Sequence, residues 1–252
     1  ALGGNALESI TTGYGNVAIG WYAGNIADTA TVNAVDNVYV GKTAGRFMDD
    51  GQYNVAVGSR AMLGANTGNN ATFNTAVGQA ALLVITTGDN NTALGSNALD
   101  ALTTGSNNVA LGMDALGLNA TMSNNVAIGT YAADALTAGT DCIFIGHYAG
   151  SSITSAGGGT LDGAIAIGRE AMLGSASTTN AVGGAIAIGQ NAMKSITTGT
   201  ENVSIGENAL QTLTTGSSNV ALGIKALQEH LTGQKNIAIG AYAMGDTNAG
   251  TN

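Results

Sequence analysis

Ionisable and metal-ligating chemistry is scarce in this chain. Its 252 residues hold 16 Asp and Glu, seven Lys and Arg, two His and one Cys. A glycosidase-type reaction needs two carboxyl groups roughly 5–10 Å apart across a cleft. Glu201 and Glu207 are near enough in sequence to pair, but no surrounding residues build a cleft, so the pair reads as incidental. Asp49-Asp50-Gly51 and Asp89-Asn90-Asn91 offer oxygen ligands of the kind Ca²⁺ takes, without a calcium-loop spacing, and read as solvated turns. His147 and His230 are too far apart to share a metal within one chain and read as surface residues. Gly157-Gly158-Gly159 lacks the Lys and helix start of a phosphate loop. Cys142 is alone and permits no internal disulfide. No catalytic residue, metal or cofactor is expected.

The elements that would carry any site come from a repeat. Asn-Val-Ala-Ile-Gly, or a near variant, recurs along the chain, closing on Gly3, Gly20, Gly41, Gly58, Gly78, Gly95, Gly112, Gly129, Gly146, Gly168, Gly189, Gly206, Gly223 and Gly240. Nine of the 13 intervals are 17 residues and the others are 20 to 22, so four units carry insertions within an otherwise fixed period. Alanine stands three residues after every one of these glycines: Ala61 after Gly58, Ala98 after Gly95, Ala115 after Gly112 and Ala209 after Gly206 are examples. A second glycine follows the first by ten residues in most units, often as Thr-Thr-Gly.

Val-Ala-Ile has the period of a strand, with its β-branched residues on one face and the small residue on the other. Glycine then bends the chain. Leu99 and Leu102 have a helical spacing, yet the length allows one or two turns at most, and Thr-Thr before Gly favours an extended segment ending in a turn. Two short segments and two turns make one coil of a solenoid. Fourteen coils stacked about 4.8 Å apart would form a rod roughly 65 Å long. An alanine at one site of every coil implies that two backbones approach closely there. So thin a coil can bury the Ala row or the Val/Ile row, but hardly both. The other row needs a surface, best supplied by copies of itself around an axis. The expectation is an all-β parallel β-roll of about 14 coils, one repeat domain over 1–252, assembled as a homotrimer. Both chain ends fall inside the repeat, so the sequence reads as a window on a longer fibre protein.

Composition agrees with this class. At 44% hydrophobic and 9% charged, the chain is not of the charged, hydrophobe-poor disordered kind. A formal charge of −9 argues against nucleic acid as a partner, and no apolar run is long enough for a membrane helix.

Val-Ala-Ile-Gly-x-x-Ala, preceded by Asn and repeated, resembles the head repeat of trimeric autotransporter adhesins (YadA-like heads) over essentially the whole chain. That resemblance implies a left-handed parallel β-roll in which three chains associate. The longer unit with Thr-Thr-Gly is more similar to repeats of bacteriophage tail fibres. The implied role is a structural and adhesive fibre segment, on a virion for a tail fibre or on a bacterial surface for an adhesin.

Three residue classes could still bind something. Asn stands four before the motif glycine in ten units, including Asn91, Asn108, Asn202 and Asn219, and reads as a structural amide ladder rather than a binding row. Cys142, Ala164 and Ala185 interrupt it. The Thr-Thr pairs suggest ice binding, but neighbouring residues of a strand face opposite ways, leaving one exposed row. The aromatics concentrate before residue 54. Trp21 and Tyr22, with Phe47, Tyr53 and Tyr148, are the candidates for contact with a host receptor or glycan, with loop packing or a subunit seam as the competing role.

Overall fold

A computed structural model describes residues 1–8, 10, 12–25, 33–65, 69–118, 120–154, 161–174 and 182–245. The extra residues of the four long units fall in 26–32, 66–68, 155–160 and 175–181; these, and the triplet Gly157-Gly158-Gly159, lie outside the described set.

The protein is an all-β solenoid built on the 17-residue unit, and it divides into two compact units, Ala1–Ser123 and Asn124–Asn252. The first unit contains β1 (Val17–Ile19), β2 (Val38–Val40), β3 (Val55–Val57), β4 (Thr75–Val77), β5 (Thr92–Leu94) and β6 (Val109–Leu111). The second contains β7 (Val126–Ile128), β8 (Ile143–Ile145), β9 (Ile165–Ile167), β10 (Ile186–Ile188), β11 (Val203–Ile205), β12 (Val220–Leu222) and β13 (Ile237–Ile239). Within each unit every strand pairs in parallel with the next in sequence. Equivalent positions meet, as in Ala93↔Ala110 and Leu94↔Leu111. The motif before Gly3 contributes a single parallel bridge, Leu2↔Ile19.

Period-2 alternation left two choices for the interior, and the structure takes the alanines. The middle residue of every strand is buried, whereas its Val, Ile, Leu or Thr neighbours are half-buried or exposed. The alanine three after the motif glycine joins it inside: Ala61, Ala98, Ala115 and Ala209 are all completely buried. The two alanine rows are therefore both interior, and the row left outside is Val/Ile. The backbone at the second alanine serves the stack as well. Ala61 O accepts from Gly45 N–H of the preceding coil, and Ala209 O from Met193 N–H, both at 3.0 Å. Leu or Met completes the interior, as Leu99 and Leu102 do beside Ala98. In most coils methyl groups fill the sheet side of this narrow interior and the larger side chains come from the turn side.

The motif glycine is obligatory on two grounds. Gly206 has φ +138°, a region that L side chains rarely adopt, and a Cβ there would lie 2.5 Å from the Gly223 carbonyl carbon in the next coil.

Leu99-x-x-Leu102 is not helical, and no helix occurs among the described residues. Residues two and four after the motif glycine instead adopt the left-handed conformation, as at Asn97 (φ 55°) and Leu99 (φ 54°). Each such residue costs about 1–2 kcal/mol in a side-chain-bearing backbone. The flips redirect N–H groups along the stacking axis: Asn97 N–H donates to the preceding coil at Gln79 O (3.0 Å), and Leu99 N–H to the following coil at Ala115 O (3.0 Å). Inter-coil hydrogen bonding therefore continues through the turn, which a helical turn would have closed on itself.

Candidate functional site

The asparagine column is consumed by stacking. Asn91 Oδ1 accepts from Asn108 N–H and Nδ2 (both 3.0 Å), while Asn91 Nδ2 donates to Asn74 Oδ1 (3.0 Å) and Gly105 O (2.9 Å). Asn202, Asn219 and Asn236 repeat the pattern at 2.8–3.1 Å. These amides are buried, and their hydrogen bonds run along the stack. At Ala164 and Ala185 the backbone N–H turns within its own coil instead, to Leu161 O and Val182 O (both 3.2 Å).

The threonine pairs divide their labour. Thr103, Thr197 and Thr214 each donate Oγ1 to a backbone carbonyl of the next coil at 2.8 Å, leaving Thr104 and Thr215 as the exposed members. Acidic turn residues are likewise occupied: Asp89 Oδ1 accepts from both the N–H (2.7 Å) and Oγ1 (2.9 Å) of Thr72. Among the described residues no three His, Cys, Asp or Glu side chains gather as metal ligands.

The reading of both histidines as surface residues holds for His147 alone. His230 is 1% exposed. It stands seven after Gly223, the interior position that Leu102 and Leu213 hold in their coils, and the Asn236 amide nitrogen lies 2.9 Å from its Nε2. The interior tolerates an imidazole there because the asparagine ladder passes beside it and supplies a polar partner.

The five aromatic candidates fall in three places. Trp21, Tyr22 and Phe47 share one: the Trp21 and Tyr22 rings meet edge to face at 4.6 Å, and the Arg46 guanidinium lies over Tyr22 (4.7 Å) and Phe47 (4.8 Å). Although Trp21 is 53% exposed, Lys42 Nζ of the following coil is 5.0 Å from its ring centroid and Gly4 of the preceding coil lies against its Cδ1 edge. Tyr53, at the other end of the strand from the motif glycine, stacks on Phe73 at 4.9 Å. In the second unit Tyr148 stacks on Tyr131 at 5.0 Å. The cause is common to both stacks: equivalent positions in successive coils lie one strand spacing apart, close to the separation at which rings stack. One face of each stacked ring is thus taken up by the neighbouring coil.

Tyr148 also borders a cleft. This open cleft of about 340 Å³ is lined by Tyr148, Ser151, Ser152, Glu170 and Leu173. Glu170 follows Tyr148 at the equivalent position one coil on, so the stack of rings ends at a carboxylate. Both ion pairs found among the described residues converge on it, from Lys194 Nζ (2.5 Å) and Arg169 (3.0 Å). The Lys194 hydrogen bond leads in holding the Glu170 carboxyl below the usual range, with the charges of Lys194, Arg169 and His147 acting the same way. Sequence reasoning missed this convergence because Arg169 and Lys194 are neighbours of Glu170 for different reasons, one along the chain and one across coils. Comparison with known sequences finds no matching family model and no matching curated protein.

Proposed function

We propose that the chain is a shaft or head segment of a trimeric extracellular fibre, read here as part of a bacteriophage tail fibre that serves host attachment. The observation that carries the proposal is the outward face of the strands. With the alanines turned inward, each coil presents Val, Ile, Leu or Thr from both strand ends along the same outer face, with 46% exposure at Leu94 and 39% at Leu111 within the stack. A repeated apolar stripe on a protein of net charge −9 calls for a cover of the same length and period. A second and third copy in parallel supply one, because the repeat is then matched coil for coil. Such an assembly acts mechanically: ladder hydrogen bonds stiffen it, and three copies multiply the avidity of any contact it makes. Resemblance of the repeat to adhesin heads keeps a bacterial-surface adhesin as the second reading, and the gene sequence on either side separates the two, a membrane barrel marking an adhesin and a virion-attachment or chaperone segment a fibre.

The test is light scattering on the purified chain at micromolar concentration. A mass three times 24.7 kDa is expected, falling to the single-chain mass when Val109 and Leu111 are both changed to Lys. A monomer of the unaltered chain overturns the proposal.

A further inference from the structure

We infer that the cleft at Tyr148 in the second unit binds one uncharged sugar ring through the residues Tyr148, Ser151, Ser152, Glu170 and Leu173. The inference rests on the attachment reading for the source of the sugar, a glycan of the host surface.

The lining makes an unequal-sided site. Tyr148 and Leu173 supply apolar surface, and Tyr131, stacked on Tyr148 at 5.0 Å, holds the ring in place before any ligand arrives. Ser151 and Ser152 bring hydroxyls to the lining. Glu170 brings a carboxylate fixed from outside the cleft by Lys194 and Arg169, one to each oxygen. Each carboxylate oxygen can accept more than one hydrogen bond, so both keep capacity for a ligand hydroxyl. A pyranose has this division in its own chemistry, with a C–H face for an aromatic or aliphatic wall and a rim of hydroxyls for carboxylate and serine. The cleft volume, about 340 Å³, sits at the small end of ligand sites.

Charge decides against the other ligand classes. An aromatic ring beside a carboxylate could hold an organic cation. Here, however, Glu170 is already matched by two cations, so the site offers a cation no net attraction. A phosphate or carboxylate ligand would meet the Glu170 carboxylate directly, because Glu170 lines the cleft and Lys194 and Arg169 do not. A neutral ligand with many hydroxyls incurs neither penalty.

Saturation-transfer NMR on the purified chain tests this with four probes: the methyl glycosides of glucose, galactose, mannose and N-acetylglucosamine. Transfer to the ring C–H protons of at least one is expected. That binding weakens about 10-fold or more, equivalent to about 1.4 kcal/mol, in Tyr148→Ala and in Glu170→Gln. It is retained in Tyr148→Phe, which preserves the ring and serves as the folding control, and in Trp21→Ala, which alters the aromatic group elsewhere. No transfer from any of the four, or equal transfer in Tyr148→Ala, overturns the inference. Tyr148-dependent binding of choline or inorganic phosphate in place of the glycosides overturns the neutral-sugar assignment. Light scattering on the same samples separates the two readings. A trimer that binds no glycoside refutes the cleft alone, and a monomer that binds one refutes the fibre alone.

Discussion

Tyr39 fills the volume that Gly45 leaves empty: a Cβ at Gly45 would lie 2.6 Å from Tyr39 Cγ, inside the ring's contact distance. Tyr39 takes the central strand position that alanine holds in most coils, and Gly45 takes the position that Leu or Met holds elsewhere, as Leu99 does. Gly24, one coil earlier, yields in the same way, its Cβ position being 2.8 Å from Tyr39 Cδ2. The exchange recurs at Phe144, with Gly150 in its own coil and Ala133 in the coil before. Large and small residues have swapped walls while the interior volume is conserved.

Exchanging the two back is the direct test. Tyr39→Ala alone removes a fully buried ring and is expected to cost about 3–5 kcal/mol. Gly45→Leu alone meets the ring and is expected to destabilise comparably or prevent folding. The double variant returns the coil to the common pattern and should recover most of the loss in a denaturant-unfolding cycle. Its backbone is already suitable, since Gly45 has φ +61° and Leu99 has φ 54°. Tyr39→Phe should stabilise by about 1 kcal/mol, because the Tyr39 hydroxyl is buried without a hydrogen-bond partner. Burial also pushes the phenol far above its ordinary pKa.

Asn219→Ala should cost more than one hydrogen bond is worth. Asn219 Oδ1 accepts from Asn236 N–H and Nδ2, so its loss strands the Asn236 N–H and takes one of the partners of Nδ2, which keeps Gln234 O and His230 Nε2. An unsatisfied buried donor costs about 1–3 kcal/mol. Faster amide hydrogen exchange at Asn236, with little change at strands several coils away, is the expected signature. Uniform acceleration along the chain would show instead that the ladder is dispensable.

Cys142 should be inert while the protein is folded. Burial, the leading cause, with the nearby charges of Asp162 and Asp141, pushes its thiol up to about 11. At pH 8 a thiol reagent should label it only after denaturation. The folded protein favours the neutral thiol, so this contribution to stability is complete below the unfolded thiol's pKa of about 8.5. It is lost as pH rises from there through about 11. A melting temperature unchanged from pH 8 to 10 in the unaltered chain and lowered in Cys142→Ala would contradict this sign.

Much of the coil can be read from the residues themselves. The 17-residue spacing announces the stacking, Val-Ala-Ile the strand, and the glycine followed by alanine the bend and the thin wall behind it, as Ala61 and Ala209 show by their complete burial. Stacked pairs were legible too, although unused: Tyr131 and Tyr148 stand 17 residues apart, and Tyr53 and Phe73 one long unit apart. Less could be read where residues depart from the pattern. His230 looks like a surface residue by type, and only its place in the interior leucine column puts it beside Asn236.

By itself the sequence determined the period, the parallel ladder and the places where a side chain is forbidden, because a translational repeat imposes the same local geometry on every unit. It could not choose which strand face turns inward. Alternation is symmetric between the two, and the choice follows from enclosed volume, which exists only once the coil is closed. Nor could it settle the conformation after the glycine. Leu99-x-x-Leu102 suits a helix locally, and the left-handed residues prevail because they send N–H groups to coils above and below. The cleft at Tyr148 is also a product of tertiary structure, since it forms where one coil's ring is followed by the next coil's carboxylate.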